Sequence, residues 1–300
     1  MEGIAMLEFF KALADPDMAF LRYAVLLGLV GSIPLGAVGA FVVARRITYL
    51  AAAIAHSVLG GVGFALYARE VWEWTWMSPM LGTILAAVLS ACLIGWVAIR
   101  AEQREDAVIG AIWVTGMAVG LIFISKTPGY VDPMAYLFGD ILLVGAADLW
   151  LAGAAGGVIA GILLLWHRQI VAVCFDAEFA SVRGVPSQAF YLLLLLMTAL
   201  TVVILVRLVG VVLVVALLTL PPAIAAMWGG RLWPMLLLAI ALNAIFITGG
   251  LVLGFQFDLP AGPGIILLAA AVFFSASLFL GGFGWRHAKN PEKTKKSAKI

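Results

Sequence analysis

The sequence predicts an all-α, polytopic transmembrane helical bundle of about 8–9 membrane spans, on three observations. Hydrophobic residues make up 64% of the 300, and the mean hydropathy is +1.13. The apolar residues run in stretches of about twenty, the length that carries a helix across roughly 30 Å of hydrocarbon. Basic residues collect in alternate gaps: Arg45 with Arg46, Arg100 with Arg104, Arg168 with Arg183, Arg231, and a tail holding Arg286, Lys289, Lys293, Lys295, Lys296 and Lys299. In lipid each backbone polar group must be satisfied within its own segment, so such stretches are helices.

Spans are predicted near 20–43, 48–68, 79–99, 107–125, 146–166, 187–206, 208–228, 233–253 and 262–282. Gly31, Pro34, Gly36 and Gly39 make the first a candidate for a broken crossing. The second ends before an acidic turn holding Trp72, Trp74 and Trp76, whose indole rings suit a membrane–water boundary. Short loops on the cytoplasmic side retain positive charge, which assigns the basic gaps and the C-terminus to the cytoplasm and leaves Arg69, Lys126 and Arg207 near the other face. With nine crossings the N-terminus lies outside, although residues 1–18 could also pack as a short amphipathic helix.

Several function classes fall away on composition. No polar linker divides the chain, so one membrane domain is expected over 1–285, followed by a basic cytoplasmic tail over 286–300. Cys92 and Cys174 lack the spacing of a disulfide framework or a metal site. The first eighteen residues, with Glu2, Glu8, Asp15 and Asp17, do not have the layout of a cleaved signal, and the first span is expected to direct insertion. Gly60, Gly61 and Gly63 have no Lys-Ser/Thr ending and no preceding strand, so the chain itself is not expected to bind ATP or to be an enzyme. The Lys-rich tail has no interleaved aromatic residues and reads as a solvated segment near the lipid surface, without a nucleic-acid role. Many of the 32 glycines lie inside apolar runs, for example Gly153, Gly156, Gly157 and Gly161, and such residues let helices pack closely.

Three polar segments carry the functional signal. His56, in the run from Tyr49 to Gly61, is an ionisable ring at membrane depth, which points to a conduction path or a metal contact, with an interhelical hydrogen bond as the plainer reading. One turn earlier Ala52 offers no second ligand. Asp132 to Asp140 is broken by Pro133 and Gly139, so it can re-enter or line a cavity, with Asp132 facing a cation, Tyr136 orienting it and Asp140 holding the turn; capping is the simpler role for the acids. Residues 174–186 read as a short amphipathic helix capped by Asp176, with Glu178 and Phe179 on it and Gly184 and Pro186 closing it. Such a helix docks on a protein or rests on the bilayer.

In this order the three segments resemble the permeases of the zinc and manganese ABC importer family (ABC-3). The resemblance spans almost the whole chain and rests on Arg45-Arg46-Ile47-Thr48-Tyr49 with Ala55-His56-Ser57, on Val131 to Asp140, on Phe175 to Ala180 with Gly184, and on Leu220-Pro221-Pro222-Ala223. It implies a type II ABC importer fold in the bacterial inner membrane and a transport subunit without catalytic residues. The implied partners are a second copy of the permease, two cytoplasmic ATPase subunits that bind the ATP, and an extracytoplasmic metal-binding protein. Asp176, Glu178, Phe179 and Gly184 match the family's ATPase-coupling helix, and His56 and Asp132 match its metal pathway, with Tyr136 and Asp140 weaker. The family's acid before that histidine is replaced by Ala52, which implies a weak pathway contact. Zinc is the expected cargo, ahead of manganese, iron or a metal chelate. An ion-coupled secondary transporter is the alternative of another class, and intramembrane coupling acids for it are scarce.

Overall fold

Hydropathy runs become helices in the order the sequence predicts, in a computed structural model that describes residues 9, 11–100, 105–129, 133–139, 141–228 and 231–288. The helices are α1 (Ala19–Ala44), α2 (Thr48–Val71), α3 (Pro79–Arg100), α4 (Glu105–Lys126), α5 (Pro133–Phe138), α6 (Ala146–Phe175), α7 (Ala177–Val182), α8 (Ser187–Val209), α9 (Val211–Met227), α10 (Leu232–Phe257) and α11 (Ala261–Ala288). Among the described residues, 8 helices are long and apolar enough to cross a membrane, and α9, equally apolar, is shorter.

Contacts at the helix ends set the up-and-down order. Asp148 at the start of α6 lies 3.8 Å from Arg207 at the end of α8, and Phe9 meets Phe255 of α10 edge to face. At the opposite end His167 of α6 stacks near Trp233 of α10, and Arg45 donates to the Val173 carbonyl. Arg45, Arg46, Arg168, Arg183 and Arg231 therefore share one end of the bundle, the end that the positive-charge rule places in the cytoplasm.

Three expectations are corrected. The first crossing does not break: α1 runs unbroken through Pro34, and its glycines serve contact instead, Gly36 against the Ile240 backbone of α10 and Gly39 against the Leu218 carbonyl of α9. The span expected to end at 166 continues to Phe175, kinked at Trp166 (φ −112°, ψ 20°), so Arg168 sits on a helix and not in a loop. The run through 208–228 is cut at Gly210, whose φ of 84° and ψ of 159° only glycine adopts readily. Gly139, at φ 62°, lies against this break, and a Cβ on either glycine would overlap the other's backbone. The small segment α5 is thereby pinned where α8 hands over to α9.

The tightest packing surrounds α2. Gly60 and Gly63 meet Gly116 and Gly120 of α4, and Gly61 meets Gly82 of α3, each approach being backbone to backbone. A valine at Gly61 would drive its side chain into the Gly82 carbonyl and the Ala86 methyl. Gly61→Val is expected to destabilise the purified permease by about 2–3 kcal/mol, read as a lowered melting temperature in detergent; an unchanged melting temperature would mean that α2 and α3 are not in register here. Gly157 and Gly161 behave differently: among the described residues a Cβ on either would meet nothing within 4 Å, so within this chain they do not make the close approaches that Gly60, Gly61 and Gly63 make.

Candidate functional site

His56 lies roughly 12 Å along α2 from its basic end at 1.5 Å per residue, in the interior of a helix long and apolar enough to cross a membrane. Its Nδ1 is 2.8 Å from the Ala52 carbonyl oxygen. A carbonyl only accepts, so Nδ1 carries the hydrogen and the neutral ring presents its lone pair at Nε2. Trp113 of α4 covers the ring, with centroids 4.5 Å apart and planes 31° from each other. Trp113 stands one turn before Gly116, so the glycine seam that draws α4 onto α2 also brings the indole to the imidazole. The carbonyl sets the tautomer, the same kind of hydrogen bond that orients metal-binding histidines in other proteins, and the indole packs against the tilted ring. Next to it, Ser57 donates to the Ile54 carbonyl and accepts from Ser90 of α3, each at 2.7 Å.

Ala52 is buried at 6% exposure and supplies only its carbonyl. Asp132 and Asp140 lie outside the described residues. Tyr136 is half-buried on α5 and lines a cavity of about 460 Å³ with Ser78, Met80, Thr83 and Arg207. Burial pushes its phenol above the ordinary value, so it stays neutral and offers a hydroxyl. Arg207 brings positive charge to that cavity, with Asp148 at 3.8 Å and the Met80 sulfur at 3.6 Å. Asp148 also accepts from the Gly145 N–H at 3.2 Å, which makes it the helix-edge residue its position suggests. Asp258 is the left-handed, exposed cap of α10, at the bundle end opposite Arg45, Arg46, Arg168, Arg183 and Arg231. Among the described residues, no group of three or more His, Cys, Asp or Glu could hold a metal ion. His56, with its Nε2 lone pair, is the one histidine among the described residues whose ring is fixed both by a carbonyl and by an indole.

At the basic end the Asp176 side chain accepts from the Phe179 N–H at 2.9 Å and starts α7, and Gly184, at φ 81°, closes the turn after it. Ala180 is buried at 1%, while Phe179 and Val182 are 55% and 86% exposed, so one residue anchors the helix and its apolar side faces away from the chain. Arg183 lies over the Phe179 ring at 5.0 Å. Glu178 turns the other way, to a cavity of about 690 Å³ shared with Arg45, Arg46, Tyr49 and Gln188.

Sequence reading missed Trp113 and the internal contacts of Arg45. Each is a contact between residues far apart in the chain, and no local spacing announces it.

These features describe a multi-pass helical membrane protein, and its family match makes it a permease, the transport component of its system. Residues 17–280 match the model of the ABC 3 transport family, and the chain belongs to that family. It is 37% identical over 250 residues to a probable metal transport system membrane protein of Chlamydia muridarum, covering 83% of this chain and 85% of that one. It is 31% identical over 262 residues to the manganese transport system membrane protein MntC of Halalkalibacterium halodurans, covering 87% of each. Among solved structures it resembles PsaBC from Streptococcus pneumoniae in complex with Fab, with a TM-score of 0.79 and 28% identity over 91% of this chain and 95% of that one.

Proposed function

We propose that this chain is the membrane permease of an ATP-driven importer of a divalent transition metal. The observation that carries the reading is His56, held by the Ala52 carbonyl and Trp113 with Nε2 as its lone-pair side, inside a chain of this family. One imidazole is a weak site for any such ion. Weakness suits passage, since a tight site would impede release, and selection then falls to a partner that captures the ion first. Manganese is the first cargo to test, because relatives are named for manganese transport, and zinc, which the histidine favours chemically, is second. Iron and chelates follow. Family membership sets aside the ion-coupled secondary transporter.

The partners in this reading are a second copy of the chain, a pair of cytoplasmic ATPase subunits and an extracytoplasmic metal-binding protein. Residues 1–285 form the permease domain and 286–300 a basic cytoplasmic tail in the bacterial inner membrane. His56 and Asp132 lie on the metal route, with Tyr136 and Asp140 as lesser contributors, and Asp176, Glu178, Phe179 and Gly184 form the ATPase-coupling segment. The test is uptake into proteoliposomes containing permease, ATPase and binding protein, with manganese, zinc and iron in competition. ATP-dependent accumulation of one of them is expected. Equal uptake without the ATPase would overturn the reading.

Exposed Phe179 is the natural apolar contact for an ATPase groove. Phe179→Asp places a charge there and is expected to weaken ATPase co-purification by at least about tenfold, since an unpaired charge in an apolar contact costs more than 1.4 kcal/mol. A complex of unchanged affinity and normal ATP coupling would show that another loop is the docking element.

A further inference from the structure

We propose that Arg45 is a positioning residue that ties the coupling segment to the helix carrying His56, so that the two shift together during the transport cycle; the proposal rests on the permease reading above. The last four carbonyls of a helix have no donor within it. At the end of α6, Ala172 accepts from the Asp176 N–H at 2.9 Å, and Val173 accepts from the Arg45 guanidinium. The same guanidinium lies 4.9 Å over the Tyr191 ring, in the early turns of α8. Val173 stands just before α7 and Tyr191 just after it, so one side chain holds both flanks of the coupling helix. A cation at a helix C-terminus is also favoured by the helix dipole.

The other end of the tie is stiff. Arg45 closes α1, and only Arg46 and Ile47 separate it from α2. The N–H groups of Arg45, Arg46 and Ile47 bond to the carbonyls of Phe41, Val43 and Val42, each at 3.0 Å, and Ile47 is buried. Arg46 takes the left-handed conformation at φ 60°, which fixes the reversal. Arg45 therefore cannot follow the coupling segment without carrying the first turn of α2. Its side chain borders the cavity of about 690 Å³, so at this point the segment leans on a polar tie more than on close packing.

The test compares wild type, Arg45→Ala, Arg45→Lys and Tyr191→Leu in proteoliposomes with the partner ATPase and binding protein, with ATP hydrolysis and manganese uptake read on the same vesicles. Arg45→Ala is expected to keep the ATPase bound and hydrolysis within about twofold, while metal moved per ATP falls about tenfold, the worth of one charge-assisted hydrogen bond. Lysine, a single-point donor without the planar stack, is expected to recover about half of that loss on a logarithmic scale. A metal-to-ATP ratio equal to wild type in Arg45→Ala overturns the proposal, as does a parallel fall of hydrolysis and uptake that leaves the ratio constant. If Arg45→Ala does not assemble, Tyr191→Leu decides by the same ratio. Hydrogen exchange of the permease in detergent is measured alongside. If wild type moves none of manganese, zinc or iron, the permease reading fails on its own, and exchange decides the tie. Faster exchange in Arg45→Ala at both flanks of α7, by at least about fivefold, upholds it, and unchanged exchange overturns it.

Discussion

Replacing His56 with leucine is expected to leave an inserted, assembled permease whose metal uptake falls by at least about tenfold, the scale seen when a metal's coordination environment is damaged. The fold should tolerate the change. Leucine keeps an apolar body against Trp113, and the Ala52 carbonyl, which accepts the Nδ1–H at 2.8 Å, retains its ordinary helical donor, the backbone N–H of residue 56. Losing one neutral hydrogen bond and a ring contact amounts to about 1–2 kcal/mol, too little to unfold the bundle. The ion loses the lone pair at Nε2, and nothing nearby in the described core replaces it: Ala52 has no donor, and no cluster of three ligating side chains is present there. Uptake and ATPase co-purification measured on one preparation separate transport from assembly. Normal uptake by an assembled His56→Leu protein would make the histidine a packing residue and move attention to Asp132 and Asp140.

Restoring an acid with Ala52→Asp should make the permease hold metal and depend on it. Residues four apart share a helix face, so the carboxylate would stand beside the imidazole. The position is buried at 6% exposure, and an unpaired carboxylate there costs several kcal/mol. A divalent ion shared with His56 would offset that cost. The variant is therefore expected to melt lower than wild type in chelator, to recover when manganese or zinc is added, and to retain more metal per permease after washing. Tighter retention slows release, so uptake should fall even as affinity rises. A melting temperature indifferent to metal would mean that the new carboxylate and Nε2 do not face one ion.

The spans were legible because hydropathy is a property of each segment alone. The Asp176 cap was legible for the same reason, since its signal is one residue type at the start of a short apolar-faced helix. Gly210 was not: an apolar run passes through it, and its φ of 84° arises where Gly139 presses on the same backbone, far away in sequence. The arginine at 168 misled because a charge after an apolar run usually marks a loop, yet α6 continues past it with the kink at Trp166. Around His56 the residue itself could be read, and its surroundings could not. The carbonyl of Ala52 carries no sequence signal, and Trp113 reaches the ring only because Gly116 and Gly120 bring α4 against α2.

Those seams also fix the helices that surround His56. Where Gly60, Gly61 and Gly63 meet Gly82, Gly116 and Gly120, the backbone of one helix sits in a notch of the next, and sliding by a fraction of a residue would put carbonyls into Cα atoms. Helix α2 is thus interlocked with both α3 and α4. The same interlocking holds Trp113 over the imidazole. In the permease reading proposed above, the boundary expected to open and close is then the one where these three helices face the rest of the bundle or a second copy of the chain.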